Sequence, residues 1–281
     1  MHIGVIGGLN LDILGFPHQE LRLRDSNPGR VQMQAGGVGH NIGVQLTKLG
    51  HSVTMLTAMG NDAQAILLSN LCRRENIDLS CALKVDAPTC TYLCVHDHTG
   101  DMYCALNDMQ AVDQLTPEAI RDVLPMLSSC ELCVMDTNPP AETLQYAAGQ
   151  LKMPIFADAV SAFKCQKLLP ILPHITALKP NLMEAEAMTG EKEPDKAAKV
   201  LLDAGVQQVF ISMGKHGVFY ADRFSSGQVP ARALPEGTPL TGAGDSLCAG
   251  LIDGLLSHMS TRDIAELGVR TAYHMLSHQQ K

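Results

Sequence analysis

Short apolar runs alternate with amphipathic stretches along almost the whole of this 281-residue chain, and that alternation constrains its fold more than any other feature. His2–Gly7, Ser52–Thr57, Leu132–Asp136, Pro154–Asp158, Ile175–Lys179 and Gln207–Met213 read as buried strands. Between them, Val38–Leu49, Ala63–Glu75, Pro117–Leu127, Ala141–Leu151 and Lys196–Ala204 carry apolar residues at helical spacing. Val38, Ile42, Leu46 and Leu49 form one such stripe. Strand–helix alternation of this kind implies an α/β fold, with a mostly parallel central sheet and helices on both faces.

Two regions break the pattern. Leu14–Ala35 has no helical period and contains the turn-rich segment Asp25-Ser26-Asn27-Pro28-Gly29, while Thr89–Leu106 reads as two strands joined at Asp97-His98-Thr99-Gly100. Two ordinary loops are the plainer reading. The sharper one is a small β-sheet lid, formed by about residues 14–35 and 89–106, over the strand ends where such sheets bind ligands. No linker is long enough to divide residues 1–281, so a single domain is expected.

At 46% hydrophobic residues the chain can bury a large core. Its net charge of -8, without a Lys or Arg run, argues against a nucleic-acid polymer as partner. No apolar run approaches the ~20 residues of a membrane span, and the first residues lack the basic start of a signal peptide. Nine cysteines scattered from Cys72 to Cys248 suit a reducing cytoplasm. Cys130 and Cys133 make a lone Cys-x-x-Cys, expected to be buried and structural.

Four segments have the residue types for phosphate chemistry. In Thr241-Gly242-Ala243-Gly244-Asp245, two glycines open a helix whose free amides face an anion, and Asp245 is placed to take a proton from an attacking hydroxyl. By spacing alone this stands level with a turn and a carboxylate that merely complements the helix end. Gly36-Gly37-Val38-Gly39-His40-Asn41 opens another helix, either as a tight turn or for close approach to a polar ligand. His40 reads as a polar rim residue there, with no partner at ligand spacing nearby. In Lys179-Pro180-Asn181-Leu182-Met183-Glu184, Asn181 and Glu184 have the spacing of a capping box, or of a grip on magnesium-bound water. Ser212-Met213-Gly214-Lys215-His216-Gly217 is a hairpin turn that also offers a hydroxyl and a cation to phosphates. The Walker A loop, the protein-kinase motifs and the dinucleotide fingerprint are all absent.

Taken together in chain order, the four segments resemble the ribokinase-like (PfkB) family of carbohydrate and nucleoside kinases, across nearly the whole chain. Within it the pattern is most similar to the pseudouridine kinases, on Asp25–Gly29, Gly36–Asn41, Asn107-Asp108-Met109 and Val160–Cys165. The resemblance implies an αβα sandwich with a lid, ATP and Mg2+ as cofactors, and 5'-phosphorylation of pseudouridine. Another nucleoside or sugar, or a non-catalytic nucleoside-binding role, is the alternative.

It further implies that Asp245 is the base and that the amides around Gly242, Ala243 and Gly244 form an anion hole. Asn10, Asp12, Asn27, Gly37 and Asn41 would hold the ribose, and Thr91 and Asn107 would meet the base from the lid. Asn181, Ser212, Gly214, Gly217 and Thr241 would contact nucleotide, and Glu184 would hold magnesium through water. Many family members carry Asp-Thr where Pro239 and Leu240 stand, a pair that helps bind K+, so potassium activation is left open. The chain's end at Lys281 is expected to leave the adenine site less enclosed than in the family, and a homodimer through the lid is expected.

Overall fold

The computed structural model describes residues 1–234, 238 and 240–278; Pro239 and Lys281 lie outside the described residues. Its strands, in chain order, are β1 (His2–Ile6), β2 (Asn10–Pro17), β3 (Gly29–Gly36), β4 (Ser52–Leu56), β5 (Ala58–Met59), β6 (Ile77–Asp78), β7 (Leu83–Lys84), β8 (Thr91–His96), β9 (Met102–Asp108), β10 (Leu132–Met135), β11 (Ile155–Asp158), β12 (Ala177–Lys179), β13 (Gln208–Ser212), β14 (Val218–Asp222) and β15 (Ser226–Val229).

Nine of them form one sheet in the order β15-β14-β13-β12-β11-β10-β1-β4-β6. From β13 to β6 every pairing is parallel, and β13-β14-β15 is an antiparallel meander at one edge. The expected strands agree to within two residues, because each is an apolar run buried on both faces. Two core clusters flank the sheet, one holding Ile6, Cys133, Met135 and Ile211, the other Ile3, Val5, Phe156 and Phe210. Cys130 and Cys133 are free thiols buried in the first cluster.

One expected helix does not form as such. Pro117–Ile120 makes a single α-turn, and the chain resumes as a 3-10 segment at Leu124–Ser129. Pro125 has no N–H for the Arg121 carbonyl, and its ring crowds that turn, so the α-helical ladder cannot run through.

A second sheet, ordered β3-β2-β8-β9, joins the two irregular segments. β2-β3 and β8-β9 are antiparallel and β2-β8 is parallel. Its register sorts the side chains. Asp12 pairs with Gln34 and Tyr92, and Tyr92 with Asn107, so these share one face. Ile13, Met33, Leu93 and Leu106 share the other, on which Met33 and Leu106 are 56% and 72% exposed.

The helices Ala243–Leu256 and Thr261–Ser277 pack at close range. A Cβ on Gly250 would stand 2.6 Å from Thr271 Oγ1, and one on Gly268 2.8 Å from Leu251. That contact fixes the helix whose first turn carries Asp245. Among the described residues no helix is long and apolar enough to cross a membrane.

Candidate active site

In open parallel sheets, ligands bind outside the carboxyl ends of the strands, at the point where strand order reverses. Here β1 is that point, with β4 on one side and β10 on the other. Asp136 follows β10, Asp158 ends β11, Lys179 ends β12 and Ser212 ends β13, so polar groups line one edge of an apolar sheet.

Asp136 is fully buried and organises the loops. Its carboxylate accepts from the amides of Gly8 (2.9 Å), Gly39 (2.7 Å) and Asn138 (2.8 Å), tying the end of β1 to the helix Val38–Lys48. Gly37 has φ of 101°, and a Cβ there would lie 2.3 Å from the Gly8 carbonyl. Gly37 is therefore required by the close approach of the protein's own backbone.

The helix Ala243–Leu256 begins at Gly242, whose φ of 80° is left-handed. No side chain caps it, and the Gly244 and Asp245 amides have no protein partner among the described residues. Free amides at the positive end of a helix are suited to an anion. Asp245, in the same turn, has its pKa pushed up to about 6. Burial is the main cause and the Asp158 charge adds to it, while Lys179, Asn41 and His40 pull the other way. A carboxyl tuned to about 6 is ionised at neutral pH yet basic enough to take a proton.

Behind it, Lys179 Nζ lies 2.7 Å from Asp158 Oδ2, and both residues are buried. Burial acts to lower the lysine's pKa, but the attraction and hydrogen bond of Asp158, with Cys248 and Glu184 adding, together outweigh it and raise the value. Asp158 also accepts from the Val160 amide at 2.7 Å and from Cys248 Sγ at 3.2 Å. This buried pair, set beside Asp245, was not singled out from sequence. Its signal was present: Asp158 and Lys179 end adjacent apolar strands and are register partners.

Asn181 and Glu184 form the full capping box of the helix Leu182–Thr189. Glu184 accepts from the Asn181 amide and Nδ2, both at 2.8 Å, and its carboxyl pKa is raised by burial. Two accepted bonds leave lone pairs free, so the oxygen donor set still suits the waters of a hydrated Mg2+.

A cavity of about 620 Å3 opens beside the uncapped helix start. Ser212, Gly214, Lys215 and Gly217 of the β13–β14 turn and Ala243 and Gly244 line its polar side. Leu240, Leu247, Val269, Ala272, Tyr273 and Leu276 give an apolar wall. Arg232 sits over the Tyr273 ring at 5.8 Å. Val269, Ala272, Tyr273 and Leu276 of that wall come from the helix Thr261–Ser277.

Asn10 and Asp12 are hydrogen-bonded to each other, on the side of the site where His40 and Asn41 begin their helix. Thr91 and Asn27 are placed differently from expectation. Thr91 pairs with Leu11 on the opposite face from Asp12 and donates to the Thr89 carbonyl at 3.1 Å; Tyr92 takes the inward place. Asn27 is held within its own loop, accepting from the Arg22 amide and donating to the Arg22 and Asp25 carbonyls. Thr241 is exposed at the helix mouth. His40 is no rim residue: it is 1% exposed, and its partner Glu75 comes from 35 positions away.

An uncapped glycine-led helix start, a carboxyl of raised pKa in its first turn and an adjoining cavity are parts suited to phosphoryl transfer to an alcohol group. The chain belongs to the pfkB family of carbohydrate kinases, whose pattern matches residues 2–280. It is 33% identical over 266 residues to the pseudouridine kinase of Escherichia coli (strain K12), covering 90% of this chain and 85% of that one. It is 31% identical over 277 residues to an uncharacterized sugar kinase, YeiI, of the same strain, covering 95% and 76%. The ribokinase of Thermotoga maritima shares its fold, with a TM-score of 0.87 at 23% identity over 98% of this chain and 92% of that one.

Proposed function

We propose that this kinase transfers the γ-phosphoryl group of ATP to the 5'-hydroxyl of pseudouridine, giving ADP and pseudouridine 5'-phosphate. The observation that carries the reading is Asp245, which faces Asn41 on one side and heads an uncapped helix opening into the cavity on the other. The 33% identity to a pseudouridine kinase over most of both chains supports the choice of acceptor.

Asn10, Asp12 and Asn41 hold the ribose hydroxyls, and Tyr92 and Asn107 approach from the inner face of the second sheet, which acts as a lid. Asp245 takes the proton of the 5'-hydroxyl as its oxygen bonds to the γ-phosphorus; the bond to the bridging oxygen breaks, and that electron pair leaves with ADP. The Gly244 and Asp245 amides stabilise the charge that develops on the phosphoryl oxygens. Hydrated Mg2+, held by Glu184, would supply further neutralisation of the phosphates. At the monovalent-cation loop Leu240 offers no side-chain oxygen, and K+ dependence is read by adding the salt.

The free cysteines fit a cytoplasmic enzyme. The outer face of the lid leaves Met33 and Leu106 exposed, and a second copy packed there would cover them. Light scattering after size exclusion should give a dimer, and Leu106→Glu a monomer; a monomeric parent chain rules the contact out.

The acceptor is tested with Mg-ATP and a panel of pseudouridine, uridine, adenosine, ribose and fructose 6-phosphate, with and without K+. Pseudouridine is expected to give the highest kcat/KM. Equal or better turnover of uridine would overturn the assignment.

A further inference from the structure

We propose that His40 and Glu75 form a positioning pair that fixes the orientation of the Asn41 carboxamide and, through it, the carboxylate of Asp245. This rests on Asp245 being the base.

The argument starts from hydrogen-bond chemistry. His40 Nε2 lies 2.8 Å from Glu75 Oε2, and Nδ1 lies 3.2 Å from Asn41 Oδ1. Both partners are acceptors, so both ring nitrogens carry hydrogen and the ring is an imidazolium. With Oδ1 committed to His40, the Nδ2–H2 of Asn41 is left for Asp245, whose pKa Asn41 holds down.

A neutral His40 with its lone pair on Nδ1 would ask Asn41 for a donor instead. The amide would flip and aim Oδ1 at the Asp245 carboxylate, a contact tolerated only by the protonated acid. The charge on His40 therefore selects the amide orientation that suits an ionised base.

The surroundings agree. Burial acts to lower the His40 pKa, but its contacts with Cys72 and Glu75 outweigh it and raise the value to about 9. Cys72 and Glu75 come from the helix Ala63–Arg74 and its C-cap, Asp12 from β2, and Asp245 from the opposite helix. Asp245 itself also faces Asp158 and Lys179. The His40, Cys72 and Glu75 donor atoms lie within 4.8 Å of one another, which is also metal-ligand spacing. An imidazolium has no lone pair for a metal, so the two readings exclude each other.

The test compares the full-length parent chain with Glu75→Gln, Glu75→Asp, His40→Gln and Asp245→Asn, using Mg-ATP and pseudouridine across pH. Glu75→Gln should lower kcat about tenfold, well short of the ~10²–10⁴ that a base supplies, and move the acid limb of kcat/KM to higher pH. KM for ATP should change by less than about twofold, and Glu75→Asp should restore the parent profile. Nitrogen-15 NMR should show His40 as an imidazolium at neutral pH in the parent chain and less so in Glu75→Gln, whatever the activity. Should His40→Gln fail to fold, the half-exposed Glu75 variants decide the question. A neutral His40 in the parent chain, or zinc bound in stoichiometric amount and lost with Glu75→Gln, overturns the proposal. An unchanged acid limb in Glu75→Gln beside an inactive Asp245→Asn overturns the positioning pair and leaves the base in place.

Discussion

Asp245→Asn should lower kcat by about 10²–10⁴ while making the protein more stable at neutral pH. Asparagine keeps the shape of the side chain but cannot accept the hydroxyl proton. Stability moves the other way because the native carboxyl titrates at about 6, against 3.8 for an unperturbed one. Between those values the native state binds more protons than the unfolded chain, so stability falls as pH rises through that window. At about pH 7.5 the ionised Asp245 then costs about 3 kcal/mol, which the amide avoids. Calorimetry should place the variant several degrees above the parent chain at that pH and close to it near pH 4. In the parent chain kcat/KM should rise with pH through about 6 as the base loses its proton. A variant with undiminished kcat would remove Asp245 from the role of base.

Lys179→Met should have the largest effect on stability, a loss of about 3–5 kcal/mol. Methionine fills nearly the same volume, so the loss comes from Asp158, left buried with the Val160 amide and the Cys248 thiol as its partners among the described residues. Removing the lysine also removes a charge that holds the Asp245 pKa down, so the acid limb should move to higher pH. Adding Asp158→Asn to Lys179→Met should recover much of the lost stability, since breaking a buried pair costs more than replacing both members. Chemical denaturation of the four proteins in the cycle reads this directly. A single variant as stable as the parent would mean that the pair contributes nothing.

The fold was legible because its strands are buried on both faces and so read as unbroken apolar runs, such as Leu132–Met135 and Ile155–Asp158. The helix expected over Pro117–Leu127 failed because an apolar period does not register the missing N–H of Pro125. Asp245 and its glycines were legible because a helix start leaves a local signature. The rest of the site depends on register and long-range contact. Which of Thr91 and Tyr92 faces Asp12 is set by pairing with β2, some 80 positions away in the chain. His40 looked unpartnered because Glu75 arrives from another helix. Asn27 lies in a turn-rich segment, and turn residues commonly satisfy their own backbone, as it does.

The central claim is phosphoryl transfer to a nucleoside hydroxyl with Asp245 as base. Phosphorus-31 NMR of a reaction containing Mg-ATP, pseudouridine and the parent chain tests it most directly. The account predicts that the γ-phosphate signal of ATP gives way to that of a 5'-phosphomonoester in step with ADP, and that Asp245→Asn binds the nucleoside but forms no ester within the same time. A 5'-ester formed equally well by that variant, or none from pseudouridine with the parent chain, would contradict it.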